Sequence, residues 1–173
     1  MVDKISLKRI LLYAVSVILL ISLDQLTKYL AVIYLKDNGS VVLIDGILEL
    51  LYVENRGAAF GIMHGMGWLF VVLALLVSAA VIYIYVKMPH ERKFLPLEAC
   101  MACIVAGAIG NIIDRIRNGF VVDFIYFSLI DFPVFNVADI FVTCSAIALI
   151  VLFLFVYKED DIDRIPLLGK GRD

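Results

Sequence analysis

Two carboxylates in this chain sit where a charge is costly. Asp123, in Val121-Val122-Asp123-Phe124, and Asp139, in Phe135-Asn136-Val137-Ala138-Asp139, lie 16 residues apart beside long apolar runs. An ionised carboxylate costs roughly 2.5–3.5 kcal/mol at the centre of a membrane helix on insertion scales, and less toward the interface. Two that converge in one such place cannot both ionise cheaply, so one pKa rises and the pair shares a proton. One member is then an acid and the other a base, an arrangement suited to proton transfer on a bond held at a membrane surface. Neither has a cation within four residues along the chain, although Arg56 or Arg115 could reach them in space.

The elements that must carry this pair are apolar. Of 173 residues, 63% are hydrophobic and 18% charged, with a mean hydropathy of +1.00. Soluble domains have about 45–50% apolar and about 25% charged residues, so an integral membrane protein is expected. Four stretches, at about 10–30, 68–86, 94–113 and 140–157, are each long enough to span a bilayer, which takes about 20 residues. The first starts with Lys4, Lys8 and Arg9 as a signal peptide would. It runs on into Asp24-Gln25-Leu26-Thr27-Lys28 with no small-x-small site, so it is read as a membrane helix.

Lys and Arg placement orients the four helices. Lys4, Lys8, Arg9, Lys87, Arg92, Lys93, Lys158, Arg164, Lys170 and Arg172 fall on one side; Lys28, Lys36, Arg56, Arg115 and Arg117 fall on the other. Ten against five puts both termini in the cytoplasm and the loops at about 31–66 and 116–136 outside. Within the longer loop, β-prone runs at 41–44 and 47–53 flank Asp45-Gly46, which predicts a hairpin lying on the membrane. The fold class expected is therefore an all-α membrane protein of four transmembrane helices with a small extracytoplasmic β-element. Residues 1–157 form one membrane domain, and 158–173 an acidic, solvated, partly disordered cytoplasmic tail. A net charge of −2 without a basic block gives no basis for nucleic-acid binding.

Every other unusual polar residue falls near the outer helix ends. Asp24 and Lys28 share a helix face and can pair. Asn111, Asp114 and Arg115 share another, with an Asp114–Arg115 ion pair as the plain structural account. Asn118-Gly119 reads as a helix stop, and Asn136 as the N-cap of the last helix with Asp139 three residues on. His64 and His90 fall on opposite sides of the membrane, which leaves no histidine triad or His-rich metal site. Cys100, Cys103 and Cys144 are read as small buried residues in helix packing, and Gly107-Ala108-Ile109-Gly110 as a packing stripe.

Five blocks together carry a family resemblance: Asp24-Gln-Leu-Thr-Lys28, Glu54-Asn-Arg-Gly-Ala-Ala-Phe60, Gly107-Ala-Ile-Gly-Asn-Ile-Ile-Asp-Arg115, Val121-Val-Asp-Phe124 and Phe132-Pro-Val-Phe-Asn-Val-Ala-Asp139. In this order, on a four-helix frame from about residue 8 to 157, they resemble lipoprotein signal peptidase (signal peptidase II), an aspartic peptidase family of bacterial membranes. The resemblance implies that Asp123 and Asp139 are the catalytic dyad. It implies that Asn55, Gly57, Asn111, Arg115 and Asn136 shape the site and hold substrate, with Asp24, Lys28 and Asp114 as structural polar residues. The implied reaction is hydrolysis of the bond before a diacylglyceryl-modified cysteine in a prolipoprotein, at the extracytoplasmic face of the cytoplasmic membrane. The implied partners are prolipoprotein signal peptides and membrane lipids; no metal or other cofactor is expected, and the chain is taken as a monomer. The alternative is a small proton or ion transporter, which predicts carboxylates near the midplane and often an internal repeat.

Overall fold

The computed structural model describes residues 5–57 and 67–169. Four helices are long and apolar enough to cross a membrane, as expected. They are α1 (Leu7–Leu35), α2 (Gly67–Lys87), α3 (Leu95–Asn118) and α4 (Val137–Val151), the last continued by a π turn over Leu152–Val156. Each begins or ends where local chemistry dictates. Ser6 caps α1 by accepting from the Arg9 amide, Pro96 stands in the first turn of α3, and Gly119 ends α3 at φ +79°. α3 is the central helix: half of its apolar stretch is buried, against 11% in each of the others, whose outer faces are left for lipid.

The packing stripe on α3 works as the spacing suggests. A Cβ on Gly107 would lie 2.5 Å from the Ala138 carbonyl oxygen and 2.8 Å from Val142 Cγ2, while one on Gly110 would run into the Asp24 carboxylate. Absent side chains therefore let α4 and α1 close on α3 at the level of the polar residues.

The β-element has three strands, not the two expected. β1 (Val41–Ile44) and β2 (Leu48–Asn55) form the hairpin, turning at Gly46 with φ +66°. The third strand, β3 (Val121–Phe127), pairs antiparallel with β2, giving the order β1-β2-β3. It arises because Val-Val-Asp-Phe-Ile-Tyr-Phe is a run of β-branched and aromatic residues placed directly after the α3 cap. The last turns of α1 support the sheet, with Ala31 and Leu35 packed on Val122 and Phe124.

The tail also departs from expectation. α5 (Glu159–Ile162) folds back, and Ile165 is 1% exposed against Met88, Phe94, Leu97 and Tyr157. Ion pairs Arg164–Glu91 and Lys93–Asp161 clasp it to the α2–α3 connection. Residues 158–169 are thus anchored on the end of the bundle through Ile165, while most of their side chains stay exposed.

Candidate active site

Asp123 and Asp139 enter the site from different elements. Asp123 is on β3 and 2% exposed. Asp139 is the third residue of α4, in a reciprocal capping box: its amide donates to Asn136 Oδ1 at 3.1 Å, and its Oδ2 accepts from the Asn136 amide at 3.1 Å. The segment between them folds back on β3. Phe135 exchanges hydrogen bonds with Ile125 at 3.0 and 2.9 Å, and this brings Asn136 beside Asp123.

Three asparagines aim their amides at the two carboxylates, and each is oriented by a donor on its own carbonyl. Asn55 Nδ2 donates to Asp123 Oδ2 at 2.8 Å while its Oδ1 accepts the Gly57 amide at 3.1 Å. Asn136 Nδ2 donates to Asp123 Oδ1 at 2.6 Å while its Oδ1 accepts the Asp139 amide. Asn111 Nδ2 donates to Asp139 Oδ1 at 2.9 Å while its Oδ1 accepts Lys28 Nζ at 2.8 Å. A backbone N–H or an ammonium cannot be accepted by an amide nitrogen, so none of the three can flip. With the Asn136 backbone N–H on Asp139 Oδ2, both oxygens of each carboxylate are held as acceptors.

The sheet register places Asn55. Val53 opposes Asp123 and Asn55 opposes Val121, so Asn55 is the diagonal neighbour of Asp123 on the same face. A bulge between Leu50 and Val53 is what achieves this. With the register of the Leu50–Ile125 pair carried through, Tyr52 would oppose Asp123 and Asn55 would face the other way.

Asp24 and Asp114 form a second, deeper layer with Lys28. Lys28 Nζ lies 3.0 Å from Asp24 and 3.1 Å from Asp114, with all three side chains at most 5% exposed. Gln25, which the sequence did not single out, donates to both carboxylates at 3.2 and 3.0 Å and to the Gly110 carbonyl at 3.3 Å. The remaining acceptors have a common pattern. Asp24 accepts the amide of Ala138, which precedes Asp139, at 3.0 Å; Asp114 accepts the amide of Val122, which precedes Asp123, at 3.1 Å. Each deep carboxylate holds the backbone that presents one of the upper pair. The expected Asp114–Arg115 pair does not form. Arg115 donates to the carbonyls of Asn111 at 3.4 Å and Gly57 at 3.5 Å, and lies over the Phe70 ring at 5.2 Å.

Asn55, Gly57, Arg115, Asp123 and Asp139 line one cavity of about 640 Å³, a size suited to a ligand segment. Its other wall is apolar: Phe70, Phe127, Ile130, Phe132, Pro133, Phe135 and Ile140, with Thr143 and Cys144. Cys144 is exposed to this space, which corrects its assignment as a buried packing residue, whereas Cys100 is buried in the bundle. Asn111 and Asn136 stand behind the carboxylates and touch the cavity only through them. His64 and the end of the second motif, Ala58 to Phe60, lie outside the described residues.

Charge at the site is unbalanced. Among the described residues Asp24, Asp114, Asp123 and Asp139 face Lys28 and Arg115 as their cations, so a single proton on the pair leaves a net charge of about −1. Burial pushes the Asp123 carboxyl up to about 6; the charge of Asp139 adds to this, and the Asn55 and Asn136 amides partly offset it.

The chain as a whole is similar to known proteins. A family model described as Signal peptidase (SPase) II matches residues 16–155. The chain is 46% identical over 142 residues, 82% of its length and 94% of the relative's, to the lipoprotein signal peptidase of Caldanaerobacter subterraneus subsp. tengcongensis. It is 39% identical over 150 residues to that of Streptococcus pyogenes serotype M1, covering 87% of this chain and 95% of the other. A solved bacterial membrane enzyme, determined by the in meso method at 2.3 Å resolution, superposes with a TM-score of 0.76 at 31% identity, covering 89% of this chain and 92% of that one. The chain belongs to the signal peptidase II family of lipoprotein signal peptidases, which are aspartic peptidases.

Proposed function

We propose that Asp123 and Asp139 are the catalytic dyad and that the bond hydrolysed is the one before a diacylglyceryl-modified cysteine in a prolipoprotein. The observation that carries the dyad is the set of three orientation-locked asparagines, whose side-chain amides hold three of the four carboxylate oxygens as acceptors, the Asn136 backbone N–H holding the fourth, beside one cavity. We assign the shared proton to Asp123, whose carboxyl burial lifts to about 6. Asp139, ionised, takes a proton from a water that attacks the scissile carbonyl, while protonated Asp123 polarises the carbonyl oxygen. Breakdown passes a proton to the leaving amine and returns the pair to one shared proton. Arg115 and Gly57, on the rim, hold substrate backbone, with Asn55 serving both substrate and Asp123. The apolar wall from Phe127 to Ile140 takes the chain and lipid beside the cysteine.

The excess of Lys and Arg at the opposite end supports cytoplasmic termini, and hence a site at the extracytoplasmic face of the bacterial cytoplasmic membrane. The exposed apolar residues of β1, Val41 to Ile44, fit a sheet edge resting on that face. All four carboxylates cluster at one end of the bundle, which favours this reading over a midplane proton relay. The test reconstitutes the purified chain in lipid with a diacylglyceryl-modified prolipoprotein and follows signal-peptide release by mass. Wild type cleaves before the modified cysteine, Asp123→Asn and Asp139→Asn do not, and a chelator changes nothing. Cleavage by both variants would overturn the dyad; no cleavage by wild type would overturn the substrate.

A further inference from the structure

A second cavity, of about 580 Å³, opens between α1 and α3 at the membrane end opposite the site. From this groove we infer a binding site for one anionic diacyl phospholipid, its phosphate at Lys8 and Arg9 and one acyl chain between the helices. The mouth is basic. Lys8 is exposed and has no ion pair among the described residues, and Arg9 gives one guanidinium nitrogen to Glu98 at 3.0 Å. Glu98 is the opposing charge at the mouth, and it is already shared between Arg9 and His90 Nδ1, also at 3.0 Å. With Lys8, Arg9 and Glu98 ionised, about one positive charge is left for a phosphodiester.

The dimensions match a lipid in one leaflet. From Arg9 the groove runs down α1 to Leu20, which at 1.5 Å per residue is about 16 Å, half of a hydrocarbon core about 30 Å thick. The groove has room for a chain because α3 presents only the small side chains of Ala99 and Ala102 there. At that depth no water is available to fill an apolar groove, so an acyl chain must. One lining residue, Tyr13, stands at the level of the ester region. Tyr13 Oη is buried and has no hydrogen-bond partner among the described residues. Along the helix axis Tyr13 itself stands one turn, about 6 Å, below Arg9, within the roughly 5–7 Å between headgroup and hydrocarbon.

Native mass spectrometry of the full chain tests this, using phosphatidylglycerol and phosphatidylcholine of identical acyl chains. Wild type is expected to retain one phosphatidylglycerol with at least a five-fold preference, since each basic residue at an anionic headgroup contributes about five-fold. Lys8→Gln lowers the preference about five-fold, and Ala99→Phe, a bulky residue at an exposed position over the floor, removes retention while prolipoprotein processing continues. Equal retention of both lipids by wild type, or unchanged preference in Lys8→Gln, would overturn the site. So would a chain dimer in place of bound lipid, or displacement of the lipid by glycerol 3-phosphate alone.

Discussion

Asp123→Asn isolates what burial of the carboxylate costs the fold. The rise of its pKa from the ordinary 3.8 to about 6 corresponds to about 3 kcal/mol at about 1.4 kcal/mol per pH unit. The sign follows from proton binding. The folded chain holds this proton more tightly than the unfolded chain, so the stability it contributes is complete below pH 3.8 and is lost as pH rises to about 6 and beyond. Asn cannot titrate, so the difference between wild type and variant should change by about 3 kcal/mol across this window, with carboxylates common to both cancelling. At neutral pH the two should be close in stability. The amide removes the buried charge, but it must present an N–H to either the Asn55 or the Asn136 amide, and two facing donors cost about 1–3 kcal/mol. The assay is thermal unfolding in detergent at half-unit steps from pH 4 to 7.5. A difference in midpoint that stays constant over the whole range would refute the assignment of a raised pKa to Asp123.

Other changes probe the layers beneath. Lys28→Met leaves the Asp24 and Asp114 carboxylates facing each other without their cation, an expected loss of about 3–5 kcal/mol; an unchanged melting midpoint would argue against the deep layer. Gly107→Ala drives a Cβ to 2.5 Å from the Ala138 carbonyl and must shift the backbone next to Asp139, so turnover should fall by at least about 10-fold, measured by single-turnover cleavage in detergent. Ile165→Ala opens a void in the tail clasp at a residue 1% exposed and should cost about 2–5 kcal/mol with cleavage before the cysteine intact at permissive temperature.

Legibility in the sequence depended on whether a feature was local. The four helices are visible because a bilayer demands long uninterrupted apolar runs, and the Asn136 cap because a capping box spans only four residues. The Asp114–Arg115 pair misled because adjacent helical residues point in different directions. The true partner, Lys28, comes from another helix 86 positions away, which no spacing encodes. β3 carries a local signal of its own: six strand-forming residues around Asp123, within the expected outer loop. The tail left one too, since Ile162 and Ile165 are spaced to face a single surface within an acidic run. The β2 bulge and the locking of the asparagines left none, because both exist only once strands and helices meet.

The four carboxylates are alike in type and all buried or half-buried, yet their surroundings separate them into two kinds. Asp24 and Asp114 touch an ammonium directly and receive a backbone amide each, so their charge is compensated and serves to hold β3 and α4. Asp123 and Asp139 receive neutral amide donors, and Lys28 reaches Asp139 only through the Asn111 amide. Neutral donors fix geometry without supplying the full charge that would pin both groups as permanent anions. A direct ammonium at Asp123 or Asp139 would make a stronger ion pair and a poorer proton carrier. Under the proposed role of Asp123 and Asp139, placing the cation one amide away lets the same cluster be rigid and still exchange a proton.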